Sequence, residues 1–226
     1  MSRRKDGRPR SVTPTTGQHP TGTITGKATE VHTRVSITDP KRRVPAGLRT
    51  DEFFLRPILA TDAARDHEAV METRLDLRVW EQSSWPEDDF TVEANGRDLA
   101  DLERRHVQRR AFTYTVLDPG GTQCLGCVYI FPSTATITAV AEDPRWAEVD
   151  AVVYFWVRKS RVSSNMDARL LTAIRTWMDE DWALARTVFV TNEQFERQVH
   201  LLDQAQLQLK FELREPDKPG TYLIYG

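Results

Sequence analysis

Cysteine is scarce, two residues in a chain of 226, too few for a disulfide scaffold. Long apolar runs are missing. None approaches the ~18 residues that a membrane span needs, and no apolar stretch follows Met1–Arg4, so neither a membrane helix nor a signal peptide is expected. Net charge of one sign is missing as well. Thirty-one Lys and Arg face thirty-three Asp and Glu, which excludes a chain that is basic throughout, as many nucleic-acid proteins are. His19, His32, His67, His106 and His200 show no HExxH or similar metal-binding spacing, and there is no internal repeat. What is present is ordinary soluble composition, 39% hydrophobic and 28% charged. It suits a cytoplasmic protein with one large domain, or a medium domain and a tail.

Charge is unevenly spread. Residues 1–48 hold ten Lys and Arg against three acids, a net +7, and the remainder holds twenty-one against thirty, a net −9. The first thirty residues are rich in Thr, Pro and Gly and poor in large apolar side chains. Such a stretch cannot bury enough surface to offset its chain entropy. A flexible basic arm over 1–48 and a domain over 49–226 are expected. Val31, Thr33, Val35 and Ile37 alternate as a strand would, suited to a sheet edge or to a second copy of the chain. The arm lacks interleaved aromatics and a dense basic cluster, which argues against nucleic acid as its partner.

From residue 49 the pattern alternates between strand and helix. Glu52–Ile58 reads as a strand ended by Pro57. Thr61 is placed to cap a first helix, with Ala64, His67, Val70 and Met71 at helical spacing. Asn95 is placed to cap a second, with Leu99, Leu102 and His106 on one face. Ala111–Leu117 and Cys124–Phe131 flank the turn Asp118-Pro-Gly-Gly-Thr122 and predict a hairpin. Val149–Val157 alternates again and leads through a polar loop into a helix bearing Met166, Leu170, Ile174, Trp177 and Met178, with Ser164 and Asp167 as a capping box. Thr187–Val190 is a short strand, Asn192 a cap for a last helix, and Phe211–Leu213 with Thr221–Tyr225 a closing hairpin whose edge could pair two copies. Cys124 and Cys127 have CxxC spacing. In a strand, positions three apart face opposite sides, so the two thiols should diverge; no further metal ligands lie near, and a redox CxxC opens a helix, so they read as buried strand cysteines.

In this order of elements, residues 52–226 resemble the GNAT acyltransferase superfamily. Three passages carry the resemblance: the hairpin 112–131 with Leu125-Gly126-Cys127-Val128-Tyr129, the strand–loop–helix run Asp150–Leu171, and Val188–Leu202 with its Asn-led helix. The resemblance implies an α/β fold with a mixed, mostly antiparallel central sheet flanked by helices. It implies acetyl-CoA as co-substrate and a small-molecule or peptide amine as acceptor. The pantetheine arm would pair with the strand edge at Phe155, Trp156 and Val157. The pyrophosphate would meet the loop Arg158, Lys159, Arg161, Ser163, Ser164 and Asn165, where a helix N-terminus offers free N–H groups. Asn192 matches the family's cofactor-contacting asparagine.

Glu148 and Asp150, on the same strand face as Tyr154, are the candidate bases for removing a proton from the amine. Trp80 and Trp85, near Glu87, Asp88 and Asp89, would suit a cationic acceptor. The chain departs from the family in two places. Its loop Arg161–Asp167 has no glycine, and Leu202 stands where the family commonly has a proton-donating tyrosine; Tyr154 is the available substitute. Two readings follow, an acyl-CoA-dependent N-acyltransferase or a catalytically silent GNAT-like fold that binds a ligand or partner.

Overall fold

The computed structural model describes residues 36–133, 144–216 and 218–226. Of the expected strand Val31–Ile37, residues 31–35 lie outside them, as does most of the basic arm, and Ile37 lies in a turn. Chain ahead of Arg49 is already packed. Ile37 is buried in the main core, Arg42 donates to the carbonyls of Trp182 and Ala183, and the Tyr114 hydroxyl donates to the Pro45 carbonyl at 2.7 Å. Packing therefore begins ahead of the boundary that charge suggests, because this segment is anchored mainly through backbone carbonyls.

Strands β1 (Leu48–Arg49) and β2 (Phe54–Pro57) lead through a single 3-10 turn to helices α1 (Ala63–Glu81) and α2 (Val92–Val107). Then come β3 (Phe112–Leu117), β4 (Cys124–Phe131) and β5 (Ala151–Val157). A one-turn helix α3 (Lys159–Val162) precedes α4 (Met166–Glu180), and β6 (Thr187–Asn192), α5 (Glu196–Gln204), β7 (Leu209–Leu213) and β8 (Tyr222–Tyr225) follow. Among the described residues, the additions to the predicted order are the two-residue β1, the one-turn α3 and the 3-10 turns Ala60–Asp62 and Pro144–Glu148.

The caps differ from those the sequence suggests. Asp62, not Thr61, precedes α1; its buried carboxylate takes a bidentate pair from Arg56 at 2.7 and 2.8 Å. Thr91 caps α2, accepting from the Ala94 amide. Asn95 is instead buried inside that helix and donates to the Ala63 carbonyl and, at 2.9 Å, to Asp66, tying α2 to α1. Burial pushes the Asp66 carboxyl up to about 6. No capping box opens α4. Asn165 precedes it with φ +57, Ser164 donates to the Arg161 carbonyl, and Asp167 accepts from Arg197 at 2.8 Å.

The eight strands form one sheet in the order β1-β2-β3-β4-β5-β6-β8-β7. Every pairing is antiparallel except β5 with β6, which are parallel and joined only at Ala151–Val153 with Thr187–Phe189. Beyond Val153, β5 stays paired to β4 as far as Val157 and parts from β6. The sheet thus opens like a V along half of β5. One face carries α4 and α5 over the large core that includes Phe155, Leu170, Ile174, Trp177 and Leu202. The other carries α1 and α2 over Cys124, Cys127 and Trp156.

A bulge sets how β4 presents its side chains. Leu117 pairs with Cys124 but Val116 pairs with Gly126, so β4 holds one extra residue there. Leu125 enters the α4 core while both cysteines pack under α1. The expectation that the thiols diverge fails for this reason: the extra residue flips the alternation between them. Gly126 has φ +153, and a Cβ there would lie 2.1 Å from the Trp156 carbonyl oxygen. Only glycine allows this approach.

Candidate active site

A cavity of about 670 Å³ opens on the α1–α2 face of the sheet, within the range of small-ligand pockets. Its floor is β4 and β5. Tyr129 and Phe131 stack with ring centroids 6.4 Å apart, and Phe131 meets Tyr154 edge-on at 5.8 Å. Trp80, at the end of α1, stands edge-on to Tyr154 at 6.2 Å. Trp85 and Tyr222 complete the aromatic wall. Strand alternation explains the floor: after the bulge, positions 127, 129 and 131 share the α1 side. Among these rings stand Glu81, Asp98, Asp101 and Glu215, with Lys218 as the one cation in the lining among the described residues. Burial raises the Glu81 carboxyl above the usual range, against a smaller opposing pull from Lys218. The Lys218 ammonium donates to the Glu81 backbone carbonyl at 2.8 Å, leaving the carboxylate itself without a short hydrogen bond among the described residues. Burial also holds the Tyr154 phenol protonated.

The V between β5 and β6 holds a second, much narrower space of about 30 Å³, the share of one water molecule. Phe155, Trp156 and Val157 line it on the β5 side, Thr73, Asp76, Leu77 and Trp80 on the α1 side, and Gln198 and Leu201 on the α5 side. Gln198 donates to the Phe155 carbonyl at 2.9 Å, and its own side-chain oxygen is buried without a partner among the described residues. Trp80 walls both spaces.

No family model and no curated protein matches the sequence. Solved structures do. A ribosomal-protein-S5-alanine acetyltransferase from Vibrio fischeri superposes with TM-score 0.61 at 17% identity, over 80% of this chain and 95% of that one. The microcin C7 self-immunity acetyltransferase MccE, in complex with acetyl-CoA and AMP, gives 0.62 at 11%, over 80% and 96%. RimJ of Mycobacterium smegmatis, in complex with CoA-disulfide, gives 0.61 at 16%, over 79% and 84%. This chain has the GNAT fold. At these identities the likeness establishes the fold alone.

Laid on the GNAT fold, the residues named from sequence separate into three groups. Tyr154 reaches the pocket, and Trp80 and Trp85 join it there. The acids near Trp85 do not line it; Asp88, for one, pairs with Arg78 at 2.7 Å. Glu148 and Asp150 lie away from both spaces, at the closed end of the V, where each faces Arg186 at 3.1 and 3.3 Å. They tie the start of β5 to the start of β6, so neither is placed to act as base. Asn192 contacts no open space and caps no helix. Its amide donates to the carbonyls of Val79 and Trp80 at 2.9 and 3.0 Å, and its oxygen accepts from the Gln194 amide. It pins the end of α1 across the mouth of the V. Leu202 is buried in the core.

The third group is the loop. Phe155, Trp156 and Val157 line the slot, and Asn165 takes the left-handed conformation that glycine would otherwise supply. The cations are already engaged. Arg158 pairs with Glu72 and Lys159 with Asp76, both at 2.6 Å, and Arg161 donates to Gln123. Two backbone donors are engaged as well: the Lys159 amide by the Thr73 hydroxyl and the Ser160 amide by Glu72 at 2.8 Å. Ser163 ends α3, and the Ser164 amide bonds the Arg161 carbonyl. Four charge-assisted and neutral bonds from one face of α1 thus cover the place where the GNAT pattern puts a pyrophosphate.

Sequence reasoning missed Glu81, Asp98, Glu215, Lys218 and Glu72. Asp98, Asp101 and Leu102 do carry a signal, since spacings of three and four put them on one helical face. Glu215 and Lys218 reach the pocket from the far end of the chain, which no local pattern reveals.

Proposed function

We propose that the protein is an N-acyltransferase that moves an acyl group, acetyl in the first instance, from acyl-CoA to a cationic amine seated in the aromatic pocket. One observation carries this reading: the amine-suited pocket and the slot along the stretch of β5 that β6 leaves share Trp80 as a wall, which would bring donor and acceptor together there. Phe155, Trp156, Val157 and the orphaned oxygen of Gln198 suit the amide-bearing arm of the donor. Arg158, Lys159, Arg161 and Ser160 would hold its phosphates once Glu72 and Asp76 turn away. Bound acyl-CoA supplies the activated carbonyl. The chain's own groups do the rest. The rings of Trp80, Tyr129 and Tyr154 hold the ammonium by cation–π attraction and exclude water. Glu81 takes the ammonium proton, a task that its raised affinity for protons favours. The Tyr154 hydroxyl, kept protonated, is the acid available to the departing thiolate. The amine is small-molecule or peptide in class, and the enzyme cytoplasmic.

The test is release of free thiol from acetyl-CoA, followed with a disulfide reagent, over a panel of aliphatic amines. Amine-dependent release supports the reading. The bonds from α1 to the loop favour a second reading, a GNAT fold that binds a cationic ligand without transferring to it. Amine binding with no thiol release under any amine would establish that one instead.

A further inference from the structure

The last turn of α1 brings both Trp80 and Glu81 to the pocket, and it is held from outside the helix. A helix ends on four backbone carbonyls that its own ladder leaves unpaired. In α1 these belong to Arg78, Val79, Trp80 and Glu81. The Ser83 amide takes the Arg78 carbonyl at 3.1 Å, and the Gln82 amide takes the Val79 carbonyl at 3.2 Å. The carbonyls of Trp80 and Glu81 are left, and among the described residues only side chains from distant parts of the chain meet them. Asn192, the last residue of β6, donates its amide to the Trp80 carbonyl at 3.0 Å and to the Val79 carbonyl at 2.9 Å. Lys218 donates to the Glu81 carbonyl at 2.8 Å. Asn192 is fully buried and is itself fixed. Its oxygen accepts from the Gln194 amide at 3.0 Å, and its backbone pairs with Tyr222, another wall of the pocket. The place calls for two N–H donors and one acceptor on a short side chain, which asparagine supplies.

We propose that Asn192 and Lys218 are positioning residues for the transfer, holding the last turn of α1 so that Trp80 and Glu81 face the amine. This rests on the acyltransferase reading, with Glu81 as its base. A base must stand within hydrogen-bond reach of the proton it takes, and a misplacement of about 1 Å can cost about 100-fold in rate. Helix ends fray, so a base on a last turn needs an anchor outside its own helix. The role differs from the cofactor contact that the GNAT resemblance assigns to Asn192. Its side chain reaches α1, and it does not line the slot.

The experiment uses Asn192→Asp in the full chain, which keeps the size and the acceptor and removes both donors. Two readouts are taken. In amide hydrogen exchange, residues 78–83 are expected to exchange at least about tenfold faster, with α4 unchanged. In amine-dependent thiol release from acetyl-CoA, kcat is expected to fall at least about tenfold while the amine's KM moves by less than about threefold. A purely structural role would speed exchange throughout the domain and leave the folded fraction its kcat. Lys218→Met cuts the tie to Glu81 at a partly exposed side chain, without opening a buried site, and the same pattern is expected at smaller size. In either variant, unchanged exchange over 78–83 would overturn the anchor. Faster exchange there with wild-type kcat would overturn the positioning role. So would a loss of acetyl-CoA affinity as the only defect of Asn192→Asp, which would return the residue to the donor. Failure of the acyltransferase reading is distinguishable, since the wild type itself would then release no thiol with any amine; that removes the role but not the anchor that exchange reports.

Discussion

Gly126→Val is expected to destabilise the protein by at least about 3 kcal/mol, near the upper end of single-site effects. A Cβ at this position would lie 2.1 Å from the Trp156 oxygen and 3.1 Å from its carbonyl carbon. All of these obstacles are backbone, so no side chain can swing aside. The clash would force β4 and β5 apart where they make six paired positions. It would also undo the bulge that directs Cys124 and Cys127 under α1 and sets Tyr129 and Phe131 into the pocket floor. The urea midpoint of the purified variant reports the effect. A loss under about 1 kcal/mol would mean that the bulge relaxes freely and does not set the pocket.

Glu81→Gln is expected to lower the turnover of amine-dependent thiol release about 100-fold or more, the usual worth of a positioned general base. Glutamine keeps the shape and the contacts of the backbone carbonyl with Lys218 but cannot accept the ammonium proton. The amine's KM is expected to rise as well, since one carboxylate of the pocket lining is lost, yet by much less than kcat falls. The pH profile separates the two effects. Burial raises the Glu81 carboxyl, so the deprotonated, active base appears only as pH climbs through a value above the ordinary glutamate range. The acidic limb of the wild-type rate should follow that ionisation and vanish in the variant. A variant that keeps both its turnover and its acidic limb would remove Glu81 from the mechanism.

Most of the architecture is legible in the residues because it rests on local signals. The alternation of Phe112–Leu117 and Val149–Val157, the Asp118–Thr122 turn and the apolar face of Met166–Met178 each follow from side-chain period or turn chemistry, and each element lies where these features put it. Helix α1 is harder to read. Its buried stripe runs Asp66, Val70, Thr73, Leu77 and Trp80, and two polar members blur the period. They are polar for reasons that only the fold shows: Asp66 is bonded to Asn95 and Thr73 to the Lys159 amide. The caps mislead in the same way, because Asn95 and Asn192 spend their amides on carbonyls of α1 rather than on their own helices.

The site was half legible. Trp80, Trp85, Tyr154 and the strand edge at Phe155–Val157 are where the resemblance and the aromatic pattern point. Glu148 and Asp150 are not, because strand alternation gives a side chain's face but not its height along the V. They sit at the end where β5 and β6 are joined, and Arg186 claims both. The carboxylates that do line the pocket come from the last turn of α1, from α2 and from the segment after β7. Their meeting is a tertiary fact.

On the proposed function, the V between β5 and β6 seats an acyl donor although bonds from α1 cover its phosphate end. Calorimetric titration of acetyl-CoA into the wild type and into Glu72→Ala tests it directly. Glu72 is partly exposed, so its loss should spare the fold while freeing the Ser160 amide and the Arg158 guanidinium for phosphate. One-to-one binding to both proteins is expected, about tenfold tighter in Glu72→Ala. No heat and no thermal shift from millimolar acetyl-CoA in either protein would contradict it, and would leave a GNAT fold that holds a cationic ligand without an acyl donor.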